Sequence, residues 1–163
     1  MFNVGDLVIY SAHGICQIDE ICKKNYFGAP NTYYVLHPLE DHQLTISVPV
    51  DNGQEGMLRM MNRDEAEDIL KSFKSSGVRW IEKVHDRSKT YSDIIKTGNR
   101  KEISKVVNTL MRQQCEAERN EKKLAESDRK LLESVQKILF TELAISLDTT
   151  FDAIHEEVIR FIH

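Results

Sequence analysis

The residues best suited to chemistry with another macromolecule lie between Gly77 and Arg112, a stretch that contains the only tryptophan, Trp80. From Val78 to Arg112 nine basic side chains accompany four acidic ones, in a chain whose net charge is −4. A positive field inside an acidic protein is typical of contact with a polyanion. An indole in that field offers a flat apolar surface that can wedge or stack. The alternative is a core tryptophan beside a solvated basic helix, because large aromatic side chains are mostly buried.

The residue types that usually carry catalysis or bind metals form no recognisable motif in this sequence. No histidine pair has the i, i+4 spacing around a glutamate, and no cysteine–histidine spacing fits a zinc site. Nucleophile-elbow, phosphate-loop and dinucleotide-binding glycine motifs are absent. We therefore expect no enzyme activity, no catalytic residues, no metal and no cofactor, while a triad assembled only in space stays open. Cys16, Cys22 and Cys115 are an odd set without CxxC spacing, which indicates free thiols in a reducing compartment.

The overall composition fits a soluble globular protein. The 163 residues are 40% apolar and 29% charged, which is enough for one medium domain or two small ones. No apolar run approaches the roughly 20 residues of a membrane span, and residues 1–6 lack the basic and apolar regions of a signal peptide. We expect a cytoplasmic protein without a membrane segment.

Residues 1–61 are predicted to form a small β domain. Segments rich in β-branched and aromatic residues alternate with groups of turn-forming residues. One of these groups, residues 28–31, is predicted to form a turn. The predicted strands cover residues 6–10, 14–21, 32–36 and 44–50, with a fifth near 58–60. Four or five short strands in so few residues favour a strongly bent sheet or an open barrel. Residues 1–62 carry seven acidic and three basic side chains, which makes this part poorly suited to phosphate binding.

From Asn62 onward the periodicity becomes helical, which predicts an all-α domain of about five helices over residues 62–163. Asn62 and Asn99 each precede a glutamate three positions later, as in a capping box. The expected helices follow Asn62, span 88–97, follow Asn99, start at Ser127 and start at Thr149. Residues 113–123 are either an exposed helix extension or a loop. The predicted fold class is therefore α+β with segregated domains, joined near residues 60–63.

Two sets of residues resemble a known family. The first set comprises Phe2, Val4-Gly5-Asp6, Val8, Tyr10, His13-Gly14, Tyr34-Val35-Leu36, Ile46 and Val48-Pro49-Val50. The second set comprises Trp80-Ile81, Tyr91, Ile94, Gly98, Arg100, Glu102, Ile138-Leu139, Glu142 and Ala144. Together they are similar to the CarD/CdnL-type bacterial transcription regulators, whose N-terminal module also occurs in the transcription-repair coupling factor. The resemblance covers essentially the whole chain.

The resemblance implies a function that joins two partners. The N-terminal domain would be Tudor-like and dock on the β subunit of RNA polymerase, while the helical domain would contact promoter DNA at the upstream edge of the bubble. In that family a tryptophan wedges into the minor groove and cations hold phosphates, which lengthens the life of the open complex. The implied DNA contact has little sequence preference. We expect a monomer that binds no membrane.

The candidate residues follow from the charge pattern and the resemblance together. For DNA they are Arg79, Trp80, Lys83, Arg87, Lys89 and Arg129, and for polymerase they are Lys24, Ser47 and Pro49. The tryptophan of many family members falls near Val84, and some members carry arginine at the position of Ser47.

The main alternative is a protein–protein adaptor without DNA contact, in which Trp80 packs the helical core and the cations meet an acidic partner. A small enzyme is a more distant alternative. The exposure of Trp80 would discriminate between the first two hypotheses: an exposed ring on a basic face favours DNA contact, whereas a buried ring favours the adaptor.

Overall fold

Short apolar segments separated by turns fold the N-terminal part of the chain into five antiparallel strands. They are β1 (Leu7–Tyr10), β2 (Ile15–Tyr26), β3 (Ala29–Pro38), β4 (Ile46–Pro49) and β5 (Met57–Arg59). The computed structural model describes residues 2–10, 13–26, 28–51 and 56–163. Within these residues the strand order is β4-β3-β2-β1-β5, so the sheet is open, with β4 and β5 at its edges. The predicted small open sheet is confirmed.

One face of this sheet carries a small apolar core, which consists of Val8, Cys16, Ile18, Tyr34, Leu36, Val48 and Met57. The register of β2 against β3 shifts between Ile18 and Glu20. Such a bulge moves the following side chains to the other face. Ile21 pairs with Tyr34 and therefore shares the face of Ile18. The strand predicted for residues 14–21 is therefore present, but its side chains do not alternate strictly between the two faces beyond Ile18.

The hairpin between β2 and β3 is longer than the sequence predicts. Ala29 pairs with Tyr26, so β3 begins inside the segment that was predicted to turn. Gly28 has φ +81°, a left-handed conformation that glycine adopts without steric cost. The residue before it, Phe27, lies outside the described residues.

Five helices follow and confirm the predicted all-α part. They are α1 (Arg63–Ser72), α2 (Val84–Lys96), α3 (Arg100–Arg119), α4 (Glu126–Ser146) and α5 (Phe151–Ile162). The chain divides into two compact units, Met1–Met60 and Met61–His163. Three helices begin at a polar cap whose side-chain oxygen accepts first-turn N–H groups, namely Asn62, Asn99 and Thr150.

The remaining helix boundaries differ from the predicted ones. Helix α2 begins at Val84 rather than at 88, without a side-chain cap. Helix α3 continues to Arg119, which assigns most of residues 113–123 to a helix extension. Helix α4 begins at Glu126, so the predicted cap Ser127 lies inside its first turn. In each case local signals placed the helix within a few residues but did not define its end.

Every helix contributes apolar side chains to the core of the helical unit, and α2 contributes the buried Tyr91 with the partly buried Ile94 and Ile95. Among its largest fully buried side chains are Phe73, Phe140 and Leu143. Burial of each such side chain contributes about 1.5–3 kcal/mol relative to exposure. No helix in the described part of the chain is long and apolar enough to cross a membrane.

Candidate nucleic-acid interface

Residues 77–83, here called the Trp80 loop, are the last part of the segment without regular secondary structure that joins α1 to α2. A Cβ atom on Gly77 would lie 2.2 Å from the carbonyl oxygen of Lys105 and 2.4 Å from Oγ1 of Thr109, both on α3. Only glycine therefore allows this close approach. The next residue is held in two directions, because the N–H of Val78 donates to Lys105 at 3.4 Å and Thr109 donates to the carbonyl of Val78 at 2.8 Å.

Two side chains of α2 hold the rest of the loop. The hydroxyl of Tyr91 donates to the carbonyl of Arg79 at 2.8 Å, and Nη1 of Arg87 donates to the carbonyls of Ile81 and Glu82 at 2.7 and 3.2 Å. Burial raises the pKa of the Tyr91 hydroxyl, which therefore stays protonated and able to donate. Four carbonyls of an irregular segment thus have side-chain partners, which satisfies polar groups that a helix or sheet would otherwise pair.

Arg87 forms a buried ion pair with Asp128, which lies in the first turn of α4. Its Nε is 3.0 Å from Oδ1 of Asp128 and its Nη2 is 2.5 Å from Oδ2, a bidentate geometry. Arg87 is 3% exposed and Asp128 is 2% exposed. The hydrogen bond to Asp128 raises the pKa of Arg87, so the guanidinium remains charged.

The Trp80 ring lies against this ion pair. The Cζ atom of Arg87 is 4.0 Å from the ring centroid, a cation–π contact. Trp80 is partly buried and packs against the helical core. The ring is therefore neither fully exposed nor fully buried, and its exposure alone does not separate the DNA-binding hypothesis from the adaptor hypothesis.

Four of the cations assigned to DNA from the sequence are exposed: Arg79, Lys83, Lys89 and Arg129. Arg129 directly follows Asp128, so the ion pair brings its backbone next to α2, which carries Lys89. The four exposed cations thus come from the Trp80 loop, from α2 and from α4. These four residues are called the basic surface below.

Arg87 departs from the role expected from the sequence. Its three guanidinium nitrogens all donate inside the helical unit, and the side chain is buried. A guanidinium in this environment cannot reach a phosphate without breaking its ion pair. The DNA contacts proposed below therefore do not include Arg87. No signal in a single sequence links it to Asp128, because the two are separated by 41 positions.

An exposed apolar residue that was not among the DNA-contact candidates from the sequence directly follows the Trp80 loop. Val84, the first residue of α2, is 46% exposed. Its neighbour in the sequence, Lys83, belongs to the basic surface. The sequence resemblance had already pointed to this position, as the one near which the tryptophan of many family members falls.

The residues assigned to polymerase lie on one face of the β-sheet. Pro49 pairs with Tyr33, which pairs with Cys22, so these residues share a face. Side chains two positions apart on a strand point the same way. Lys24 and Ser47 therefore lie on the face of Pro49.

The edge strand β4 also offers backbone groups. The N–H of Val50 donates to the carbonyl of Thr32 at 2.9 Å, which makes these two a hydrogen-bonded pair. In an antiparallel ladder such pairs alternate with pairs whose backbone groups point outward. Ser47 and Pro49 are in outward-pointing positions. Ser47 therefore directs an N–H and a carbonyl to the open edge of the sheet, and Pro49 directs a carbonyl.

The remaining reactive groups give no indication of a catalytic or metal centre. All three cysteines are free thiols. Burial raises the pKa of Cys16 to about 11, and also raises the pKa of Cys22 and Cys115. Such thiols are mostly protonated at neutral pH and react slowly. Among residues 2–10, 13–26, 28–51 and 56–163, no group of three or more histidine, cysteine or acidic side chains could hold a metal ion.

Comparison with known proteins assigns both units to one family. Residues 2–61 match the model described as CarD-like/TRCF RID domain, and residues 68–159 match the model described as CarD, C-terminal domain. These matches define a CarD-like transcription factor, a class of protein that interacts with RNA polymerase and is not an enzyme class. The chain belongs to the CarD-like family.

A relative in Bacillus subtilis (strain 168) agrees with this assignment. It is named "Putative transcription factor YdeB" and is 28% identical to this chain over 146 residues. The similarity covers 89% of this chain and 92% of the relative. The two proteins are therefore similar over nearly their full lengths, and the resemblance inferred from the sequence motifs is confirmed.

Proposed function

We propose that this protein binds RNA polymerase and promoter DNA simultaneously and lengthens the life of the open promoter complex. The observation that carries the proposal is the basic surface: Arg79, Lys83, Lys89 and Arg129 are exposed, and the loop that carries the first two is held by hydrogen bonds from side chains of α2. Binding to polymerase raises the effective concentration of this surface at the DNA, so that neither contact needs high affinity alone.

The DNA side of the proposal combines charge with an apolar contact. Exposed cations bind phosphates regardless of sequence and make the affinity depend on salt. Trp80, together with the exposed Val84 next to Lys83, supplies apolar surface that can press against a base step in the minor groove. Partial unstacking at the upstream bubble edge would favour the open duplex. We propose these contacts for the upstream edge of the bubble.

The polymerase side of the proposal rests on the first unit. The edge of β4, with the outward backbone groups of Ser47 and Pro49, is suited to pairing with an extended segment of a partner. Lys24 lies on the same face and can add a charge contact. We propose the β subunit of polymerase as this partner. Such a role places the protein in the bacterial cytoplasm, as a monomer bound to polymerase and without membrane contact.

The test compares charge-neutralised variants on a promoter. Lys83→Gln combined with Lys89→Gln should shorten the lifetime of the open complex and reduce the salt dependence of DNA binding, by about 0.9 in the slope of log K against log salt for each phosphate lost. Binding to free polymerase should not change. The matched control is Lys71→Gln combined with Arg160→Gln, which removes two exposed cations from α1 and α5.

The adaptor remains the second candidate, because Trp80 packs partly on the core and Arg87 is used internally. An adaptor predicts that both double variants leave the open-complex lifetime unchanged. It further predicts that the loss appears only in binding to an acidic protein partner. Equal lifetimes for the test and control variants would reject the DNA contact.

A further inference from the structure

We infer that Arg87 is a positioning residue, whose buried pair with Asp128 fixes the Trp80 loop in the conformation that presents Arg79, Trp80 and Lys83 to DNA. The inference rests on the proposed DNA contact. It assigns to Arg87 a role that differs from phosphate binding, and it gives Asp128 a role that the sequence did not indicate.

The first step is that one side chain holds several parts of the loop. Nη1 of Arg87 donates to the carbonyls of Ile81 and Glu82, and the guanidinium lies 4.0 Å from the centre of the Trp80 ring. These contacts involve residues 80, 81 and 82, which lie in the Trp80 loop directly before Lys83. The conformation of the loop between Trp80 and Lys83 therefore depends on where this guanidinium lies.

The second step is that Asp128 determines where the guanidinium lies. Both carboxylate oxygens accept from Arg87, at 3.0 and 2.5 Å. The planar fork of arginine can bind the carboxylate with one edge and carbonyls with another, which a lysine ammonium cannot do. Because Asp128 is in the first turn of α4, the same pair also fixes the position of the next residue, Arg129.

The third step is that a fixed loop lowers the cost of binding DNA. Long cationic side chains on a mobile segment lose conformational entropy when they bind, whereas a loop that is already ordered loses less. Removal of the Arg87–Asp128 pair, called the clamp below, should therefore weaken the binding of DNA without changing the number of phosphates that the protein contacts. A phosphate-binding residue behaves differently, because its removal lowers the salt slope by about 0.9.

The first experiment uses the free full-length protein. Trp80 is the only tryptophan, so intrinsic tryptophan fluorescence and its quenching by acrylamide report on this ring alone. Arg87→Lys keeps the charge but loses the fork, and Asp128→Asn keeps the shape but loses the ion pair. Both variants should show stronger quenching than the wild type and than the control Lys71→Gln. Unchanged quenching in both variants would overturn the inference.

The second experiment measures binding to a promoter duplex that contains an open bubble, over a series of salt concentrations. Arg87→Lys should bind roughly 5- to 100-fold more weakly than the wild type, as expected when two loop cations must be ordered on binding. The salt slope should stay the same. A slope lowered by about 0.9 with unchanged quenching would instead make Arg87 a phosphate contact and overturn the inference.

A double variant covers the case in which single changes at the buried pair prevent folding. Arg87→Met combined with Asp128→Leu replaces the ion pair by apolar side chains, a kind of replacement that proteins often tolerate without loss of stability. It should melt near the wild-type temperature, show stronger quenching of Trp80 and bind DNA more weakly at an unchanged slope. Wild-type quenching and DNA affinity in this folded variant would overturn the inference.

The outcomes also separate the inference from the proposed function. If the wild type does not bind the bubble duplex, and the basic-surface variant Lys89→Gln does not differ from it, the proposed function fails. Stronger quenching in Arg87→Lys would then still support the clamp on the Trp80 loop.

Discussion

Glu142 of α4 accepts a hydrogen bond from the backbone N–H of Met61 at 2.9 Å, and so ties the first residue of the helical unit to its core. The same carboxylate accepts from Nε and Nη2 of Arg100 at 3.1 and 2.8 Å. Ser146, one turn further along α4, donates to the carbonyl of Met61 at 2.9 Å. The start of the helical unit is therefore fixed at Met61, because side chains of α4 bond both its N–H group and its carbonyl group.

Glu142→Gln should destabilise the helical unit by about 3 kcal/mol, because removal of one partner from a buried ion pair leaves the other uncompensated. Glu142 is 1% exposed, whereas the Arg100 side chain is 18% exposed and partly solvated. Chemical denaturation followed by the fluorescence of Trp80 measures the change. Glu133→Gln, an exposed change on the same helix, should stay within about 0.5 kcal/mol of the wild type. Equal stabilities for the two variants would contradict this prediction.

Gly77→Ala should lower the stability of the helical unit by about 1–3 kcal/mol, the usual cost of overpacking. The added methyl group would lie 2.2 Å from a backbone oxygen of α3, so the loop or the helix backbone must move. The neighbouring exposed residue supplies the control, since Ser76→Ala adds no atom near α3. Thermal melting of both variants tests the prediction, which fails if Gly77→Ala and Ser76→Ala have the same melting temperature.

Trp80→Ala should shorten the open-complex lifetime by about 5- to 150-fold, from the roughly 1–3 kcal/mol that an aromatic contact with a base contributes. The ring is only partly buried. Its removal should therefore cost less stability than the 3–5 kcal/mol that is typical of a fully buried tryptophan. Lifetime and melting temperature must be measured on the same variant. Trp80 would be assigned to the core if the melting temperature fell strongly and the change in open-complex lifetime were no larger than the loss of folded protein explains.

Lys24→Glu should weaken binding to the polymerase β subunit, whereas Lys23→Glu should leave it unchanged. The two lysines are adjacent on β2, pair with Asn31 and Thr32, and therefore project from opposite faces of the sheet. Each change reverses one charge in the same unit, so a net-charge effect would appear in both. A pull-down with the β subunit compares them. Equal weakening would show that binding depends on net charge and not on the face that carries Ser47 and Pro49.

Cys16 should make the stability of the first unit depend on alkaline pH. Burial raises the pKa of the thiol from an ordinary 9.0 to about 11, so the folded state keeps the proton after the unfolded state has lost it. The stabilising contribution is complete below pH 9 and is lost as the pH rises through 11, by at most about 2–3 kcal/mol. Urea unfolding of the wild type and of Cys16→Ala across this range measures the difference. The loss should be smaller in Cys16→Ala, and parallel pH profiles would contradict the assignment.

The sequence by itself determined the class of each element and the family. Segments rich in β-branched and aromatic residues predicted the strands, and the capping patterns at Asn62 and Asn99 predicted two helix starts, where both asparagine side chains accept the expected hydrogen bonds. These signals are local, since a cap acts within one turn and a strand pattern within a few residues. The candidate DNA-contacting region around Trp80 was likewise chosen from a local signal, the excess of basic side chains among neighbouring residues.

Only the tertiary structure decided the role of Arg87 and the start of α2. In sequence Arg87 is one more cation in a basic stretch, and nothing there distinguishes it from Lys83 or Lys89. Its partner Asp128 lies 41 positions away on another helix, and both side chains are buried in an internal ion pair. Helix α2 begins at Val84 without a side-chain cap. No local capping signal marks that start, so the sequence predicted it four residues too late.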